Sequence, residues 1–477
     1  MNRKLKWASL AASLLLAGAV YARGGLTSLR ITNNYPFVGT LVAKSVNEVG
    51  TDRLTVGCEV LDRDYTDYDE YKSWLPGLGI RKIRLQAGWA KTERTKGVYD
   101  FAWLDHIIDD ALSRGLEIWL QTSYGNPIYP GGGTINLGGG MPVSAEAKAA
   151  WNNWVRAMAE RYRGKVHEWE IWNEPDLSES IPVEAIVDMN VRTAGIIKEV
   201  DPQARIAGFA FCVLNPELLD ACLEQVRAAG KLDLFDWVSY HGYEYRPENS
   251  YAGVQAFREV IDRYDPRIEL RQGENGAPSQ GHMGGALDDY DWTELSQAKW
   301  DLRRLAGDHG HDVESSVFSI IDMAYPPGEN QYVAKLNVKG LIASNGEKRV
   351  LRPKLAYRAV QHYATLFEHF AHRISDYGFS TSREEEYAHY LYRDAEGVNS
   401  LQIWKQTEAP LNENRIEYKT LRLRGVTFEE PVWIDLLTGS VFEIPERCIS
   451  RRGDMLTIKQ VPVYDSPVVI TDKSVVE

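Results

Sequence analysis

Cysteine is scarce in this chain, with four among 477 residues: Cys58, Cys212, Cys222 and Cys448. No two stand at the short spacing of a thiolate metal site, which excludes zinc ribbons and fingers. Cys212 and Cys222 are the nearest pair for a disulfide, although buried free thiols are the commoner state in a chain this large. Positive charge is also short. Lys and Arg number 54 against 67 Asp and Glu, for a formal net charge of −13. So acidic a surface disfavours nucleic acid and anionic membranes, and it repels uronate-rich polysaccharides unless basic residues cluster locally. The glycine-rich run Gly131–Gly140 lacks the Lys-Ser/Thr of a phosphate cradle and reads as a rim loop. No dinucleotide fingerprint follows any strand-like segment. The one H-x-H, His309 and His311, precedes such a segment instead of ending it, the wrong end for a barrel metal site. No cofactor and no metal are expected.

The amino terminus carries Arg3, Lys4 and Lys6, then the apolar run Ala8–Val20, then Val20-Tyr21-Ala22 before Arg23. That is the pattern of a cleavable export signal over residues 1–22. The apolar run is too short for a membrane anchor, and no cysteine follows it to take a lipid. A secreted or periplasmic location is expected. Without the segment, which holds three basic residues and no acid, the net charge becomes −16.

A hydrophobic content of 44% with 11% aromatics argues for a folded chain, and 477 residues ask for more than one core. From about residue 51 to 370, strand-like and helical segments alternate eight times. The strand-like segments are Leu54–Val60, Gly79–Leu85, Leu116–Gln121, Val166–Glu174, Ala204–Ala210, Phe235–His241, Ile268–Glu274 and Ser315–Met323. Eight alternations over about 320 residues predict a (β/α)₈ barrel. Residues 371–477 change to short strands separated by turns such as Glu396-Gly397 and Thr438-Gly439, which predicts a small β-sandwich. Residues 23–50 have room for strands that join it.

Two strand-like segments end in a carboxylate, at Trp172-Asn173-Glu174-Pro175 and Gly273-Glu274-Asn275-Gly276. In a barrel the C-terminal strand ends line the active site. Two carboxylates on opposite sides of that mouth are what hydrolysis of a glycosidic bond requires. Loss of either would have pointed to a catalytically inactive carbohydrate-binding barrel. Trp89, Tyr124, Tyr129, Trp172 and Tyr325 also fall on or after strand ends, where aromatic faces stack on sugars or simply pack. Glu59 and Glu244 lie near strand ends as well, with nothing in the sequence to pair them.

The run Trp169-Glu170-Ile171-Trp172-Asn173-Glu174-Pro175-Asp176 resembles the acid/base strand of clan A glycoside hydrolases, and most closely family 39, the family of β-xylosidases. Lys339-Gly340-Leu341 through Arg352-Pro353-Lys354-Leu355-Ala356-Tyr357 is similar to the stretch after that family's eighth strand. The nucleophile run diverges, with Gly-Glu-Asn-Gly in place of the usual Thr-Glu-Trp. The resemblance implies a retaining glycosidase with Glu174 as acid/base and Glu274 as nucleophile. It implies that Asn173 contacts a sugar 2-hydroxyl, that Arg84 stands near the nucleophile and keeps it ionised, and that His241 and Tyr243 end the sixth strand as a His-x-Tyr run in which Tyr243 bonds and orients Glu274. The expected substrate is a carbohydrate with a β-glycosidic or equivalent α-L-arabinosidic bond, attacked from a chain end. An endo-glycanase of the same clan is the alternative.

Overall fold

The computed structural model describes residues 34–50, 53–178, 180–326 and 336–476; the export segment read at residues 1–22 lies outside them. Eight parallel strands close into a barrel in chain order. They are β1 (Leu54–Gly57), β2 (Lys82–Gln86), β3 (Glu117–Thr122), β4 (Glu168–Ile171), β5 (Arg205–Phe211), β6 (Trp237–Tyr240), β7 (Glu269–Asn275) and β8 (Glu314–Val317). The eighth is shorter than its apolar run predicts. After Val317 the ladder becomes irregular, with the Phe318 amide bonding the Asn275 carbonyl of β7 and the Ile320 amide the Gly57 carbonyl of β1. Helices such as Ala145–Tyr162 and Val183–Val200 alternate with the strands. Among the described residues no helix is long and apolar enough to cross a membrane.

Side chains alternate across each strand. On β2, Ile83 and Leu85 join the apolar core that meets the helices. Lys82 and Arg84 turn into the barrel, where they reach Glu168 and Glu170 of β4. The interior is therefore ionic. In its lower layer Glu168 bonds Lys82 at 2.9 Å and Arg271 at 2.6 Å. The Arg271 guanidinium lies 3.7 Å from the Trp237 ring centre and 4.6 Å from that of Trp119. Burial alone would raise the Glu168 pKa, but Arg271 and Lys82 outweigh it and hold it at about 2.

Two consequences are expected. Arg271→Ala leaves Glu168 and Glu314 without their shared cation, a loss of about 3–5 kcal/mol for a broken buried pair, read by chemical denaturation. Because the Glu168 pKa is depressed on folding, its stabilisation is complete above about 4.5 and drains away as the pH falls toward about 2. An acid-denaturation curve of the Arg271→Ala protein should show a weaker dependence over that window.

Beside two small two-stranded sheets, the described residues outside the barrel form two large antiparallel ones. One has seven strands and includes Phe37–Thr40, which pairs with Ser440–Glu443; the other has four, built on Glu417–Arg424 and Met455–Val463. Together they make the β-sandwich. Buried polar ties fasten it to the barrel: Lys299 bonds Asp465 at 2.7 Å, and Arg303 and Trp404 both reach Glu248. All four cysteines are free thiols.

Candidate active site

Both carboxylates owe their aim to irregular backbone. Trp172 and Glu174 have φ of 60° and 49°, the left-handed region, on either side of Asn173. Such residues cost about 1–3 kcal/mol each and persist only where the surroundings hold them. Here the Trp172 amide bonds the Thr122 carbonyl at 3.0 Å, and the Glu174 amide bonds the Ala210 carbonyl at 2.9 Å. Ala210 is available because β5 breaks register with β6 between Gly208 and Phe211. A second register shift, between Gln272 and Asn275 of β7, swings Glu274 to the mouth. Bulges beside active sites re-aim side chains in this way.

The glycines around Glu274 have a steric cause. A Cβ at Gly273 would lie 2.6 Å from the Ser239 hydroxyl and 3.0 Å from a Glu170 oxygen, and one at Gly276 would lie 1.9 Å from the Phe318 carbonyl. The Gly-Glu-Asn-Gly run is therefore required by what packs against it.

Four residues surround the carboxylates. Arg84 donates through Nη1 to Glu274 Oε2 at 3.3 Å, and Tyr243 donates its hydroxyl to Glu274 Oε1 at 3.0 Å. His241 Nδ1 meets Glu174 Oε1 at 2.7 Å and lies 3.9 Å from Glu274 Oε2. Asn173 accepts through Oδ1 from Arg84 at 3.0 Å and from Gln121 at 3.0 Å. With its oxygen engaged, the Asn173 amide has its NH₂ left to offer a ligand.

The two glutamates differ in proton affinity. Burial holds the Glu174 carboxyl above its ordinary range, helped by the charge of Glu274 and opposed by His241. Burial would also raise Glu274, but His241, Arg84 and the Tyr243 hydroxyl outweigh it and keep it below that range. His241 itself is raised: burial disfavours its charge, and Glu274 and Glu174 more than compensate. The site thus pushes the proton affinities of its two glutamates apart, the separation that acid and nucleophile chemistry needs.

Several sequence expectations are revised. Trp89 is fully buried and packs between Tyr129, Trp151 and Trp154, so it cannot stack on a sugar. Arg84 and His241 are closed off beneath the carboxylates and touch those instead of a ligand. Trp172 and Tyr124 meet edge to face at 6.1 Å beside Glu174, and Tyr325 packs on Tyr65 at 4.7 Å. Tyr124 also lines a cavity of about 230 Å³ with Arg63, Lys91 and Arg94. Sequence reading missed Glu170 and Gln121, whose position one residue before the last of their strands is the only trace of their role. It missed Lys339 as a site residue. The Lys339 amine lies 5.5 Å from the Tyr243 ring centre, and burial lowers its pKa to about 7.

Glu174, His241 and Glu274 form the trio among the described residues whose donor atoms, all within 4.8 Å of one another, are close enough for a metal ion. Arg84 already supplies a cation at Glu274, and Nδ1 of His241 is engaged by Glu174.

An eight-stranded barrel with two glutamates of opposed proton affinity at the ends of its fourth and seventh strands has the layout that hydrolysis of a glycosidic bond requires. More particularly, the chain is similar to the family described as Glycosyl hydrolases family 39, whose model matches residues 52–264, somewhat less than half of the chain. A β-galactosidase, BgaA, from Clostridium cellulovorans is 31% identical over 118 residues. That match covers 21% of this chain and only 18% of the relative. Among solved structures, a family 39 glycoside hydrolase from Bacteroides cellulosilyticus WH2 superposes with a TM-score of 0.60 at 16% identity, covering 90% of this chain and 82% of the other. A monomeric β-xylosidase from Caulobacter crescentus CB15 gives 0.56 at 16% identity, covering 91% and 97%. At such identities these structures speak to the fold.

Proposed function

We propose that this protein is an exported retaining glycoside hydrolase that removes sugars from chain ends by double displacement at β-glycosidic or equivalent α-L-arabinosidic bonds. The carrying observation is the approach of the Glu174 and Glu274 oxygens to within 4.8 Å. Retaining enzymes hold their carboxyl groups about 5–5.5 Å apart, whereas inverting enzymes leave about 6.5–9.5 Å for a water.

In the first step a Glu274 oxygen attacks the anomeric carbon. The bond to the leaving oxygen breaks, and that oxygen takes the Glu174 proton. The glycosyl ester removes the Glu274 charge, so the Glu174 pKa falls and Glu174 becomes a base. It then takes a proton from water, whose oxygen attacks the same carbon and releases Glu274. The Asn173 NH₂ edge suits the sugar 2-hydroxyl, a contact that strengthens in the transition state. The small openings over the pair, with side-chain exposures of 10% for Glu174 and 14% for Glu274, support a pocket that takes a chain end. The export signal read at residues 1–22 supports action outside the cytoplasm.

The names of the relatives support xylo- and galacto-configured substrates as the first to try. A screen of nitrophenyl β-glycosides should find turnover, and NMR should show the β-anomer as the first product. An α-anomer formed first would remove Glu274 from the nucleophile's role.

A further inference from the structure

Glu59 is a third carboxylate in this centre, two residues past the end of β1, and the reaction above does not use it. Its side chain is fully buried. Oε1 accepts from Arg84 Nη1 at 2.9 Å, and the same nitrogen reaches Glu274 Oε2 at 3.3 Å. One guanidinium nitrogen is thus divided between Glu59 and the proposed nucleophile. The other oxygen, Oε2, is buried without a hydrogen-bond partner. The carboxyl is not there by accident of packing. It folds back over Gly57, where a Cβ would lie 2.2 and 2.5 Å from its two oxygens, so the absence of a side chain at 57 makes its seat. The Val60 amide, bonded to Gln86 Oε1 at 3.1 Å, anchors the turn that follows.

We propose that Glu59 is a positioning residue for Glu274: the two N–H bonds of Arg84 Nη1 serve both carboxyls, so protonated Glu59 leaves the guanidinium charge to the nucleophile, and ionised Glu59 draws that charge toward itself and sets a second anion beside Glu274. This rests on the glycosidase reading of the site. An anion with one bare buried oxygen is expensive, so the neutral form is the ground state at low pH. Burial and the Glu274 charge together outweigh Arg84 and push the Glu59 carboxyl up to about 7. Lys339, at about 7, and the raised His241 face Glu274 and are common to wild type and a Glu59 variant, and the groups that face Glu59 itself do not ionise in that range. The Cys58 thiol and the Tyr71 and Tyr243 hydroxyls are all held well above their ordinary values by burial, and Tyr325 is raised as well. Arg84 stays charged.

The test is the pH profile of kcat/KM for wild type and Glu59→Gln on whichever nitrophenyl glycoside the wild type turns over. Glutamine keeps an oxygen for Arg84 and cannot ionise. Glu59→Gln removes one titrating carboxyl and leaves Glu174, His241 and Lys339 in place, so the alkaline limb of the variant should be shallower than that of wild type by about one proton. The acid side, where Glu59 is neutral, should coincide. Glu59→Leu, of similar bulk without an acceptor, should lower kcat about 10- to 100-fold while Glu59→Gln retains it. Superimposable alkaline limbs for wild type and Glu59→Gln would overturn the proposal while leaving the glycosidase reading intact. If wild type hydrolyses no glycoside, that reading fails. A difference-infrared titration with carboxyl-labelled glutamate then decides for Glu59: a band titrating near 7 in wild type and absent from Glu59→Gln supports the shared guanidinium, and its absence from wild type overturns it.

Discussion

Glu274→Ala is expected to lower kcat/KM on the order of 10⁵-fold, about 7 kcal/mol of transition-state stabilisation. The magnitude follows from what the residue is asked to supply. It provides the electron pair that forms the glycosyl ester, and nothing else among the described residues can replace it. Arg84 and Tyr243 hold it with bonds to opposite oxygens, so its carboxylate is oriented before substrate arrives. Truncation also leaves the buried Arg84 charge facing a cavity at that position. Added azide should enter the cavity and restore part of the turnover, giving a glycosyl azide of inverted configuration because only one displacement then occurs. Wild-type-like hydrolysis by this variant would sink the assignment.

Glu174→Ala should behave differently, because a general acid is needed only in proportion to how poor the leaving group is. For alkyl glycosides and oligosaccharides the loss should be about 10²–10⁴-fold. For dinitrophenyl glycosides, whose phenolate leaves without a proton, the first step should be nearly unimpaired and the second, which needs the base, should become limiting. The sign of the pH effect follows from the raised Glu174 pKa. Wild-type activity falls as the pH rises through that value and the acid loses its proton. In Glu174→Ala that component of the alkaline limb should vanish. Azide should again rescue, now with retained configuration, since Glu274 still forms the ester. Uniform losses across leaving groups would remove the acid role.

The chemistry of the pair was legible because it depends on periodicity. An apolar segment that ends in Asn-Glu-Pro or Gly-Glu-Asn-Gly puts a carboxylate at a strand end, and eight alternating segments make that end a barrel mouth. The alternation on β2 is also visible in sequence, with Arg84 flanked by Ile83 and Leu85. What Arg84 meets is not. Its partners Glu59, Glu170, Asn173 and Glu274 are 25 to 190 residues away, and three of the four are carboxylates that local pattern cannot rank. Trp89 shows the opposite limit. Its place just beyond β2 suggested a sugar platform, but the short helix Trp89–Thr92 turns the ring into an aromatic cluster with residues from a helix 60 positions on.

The sequence by itself determined the barrel, the trailing β-domain and the two glutamates, since hydrophobic period and strand-end chemistry are local properties of a chain. Only the tertiary structure decided how those glutamates stand. The left-handed turns at Trp172 and Glu174, the register shifts in β5 and β7, and the division of one Arg84 nitrogen between Glu59 and Glu274 all arise where distant segments exchange hydrogen bonds. Proton affinity is set there too, because burial and the charges across the barrel, absent from any single segment, raise it at one glutamate and lower it at the other.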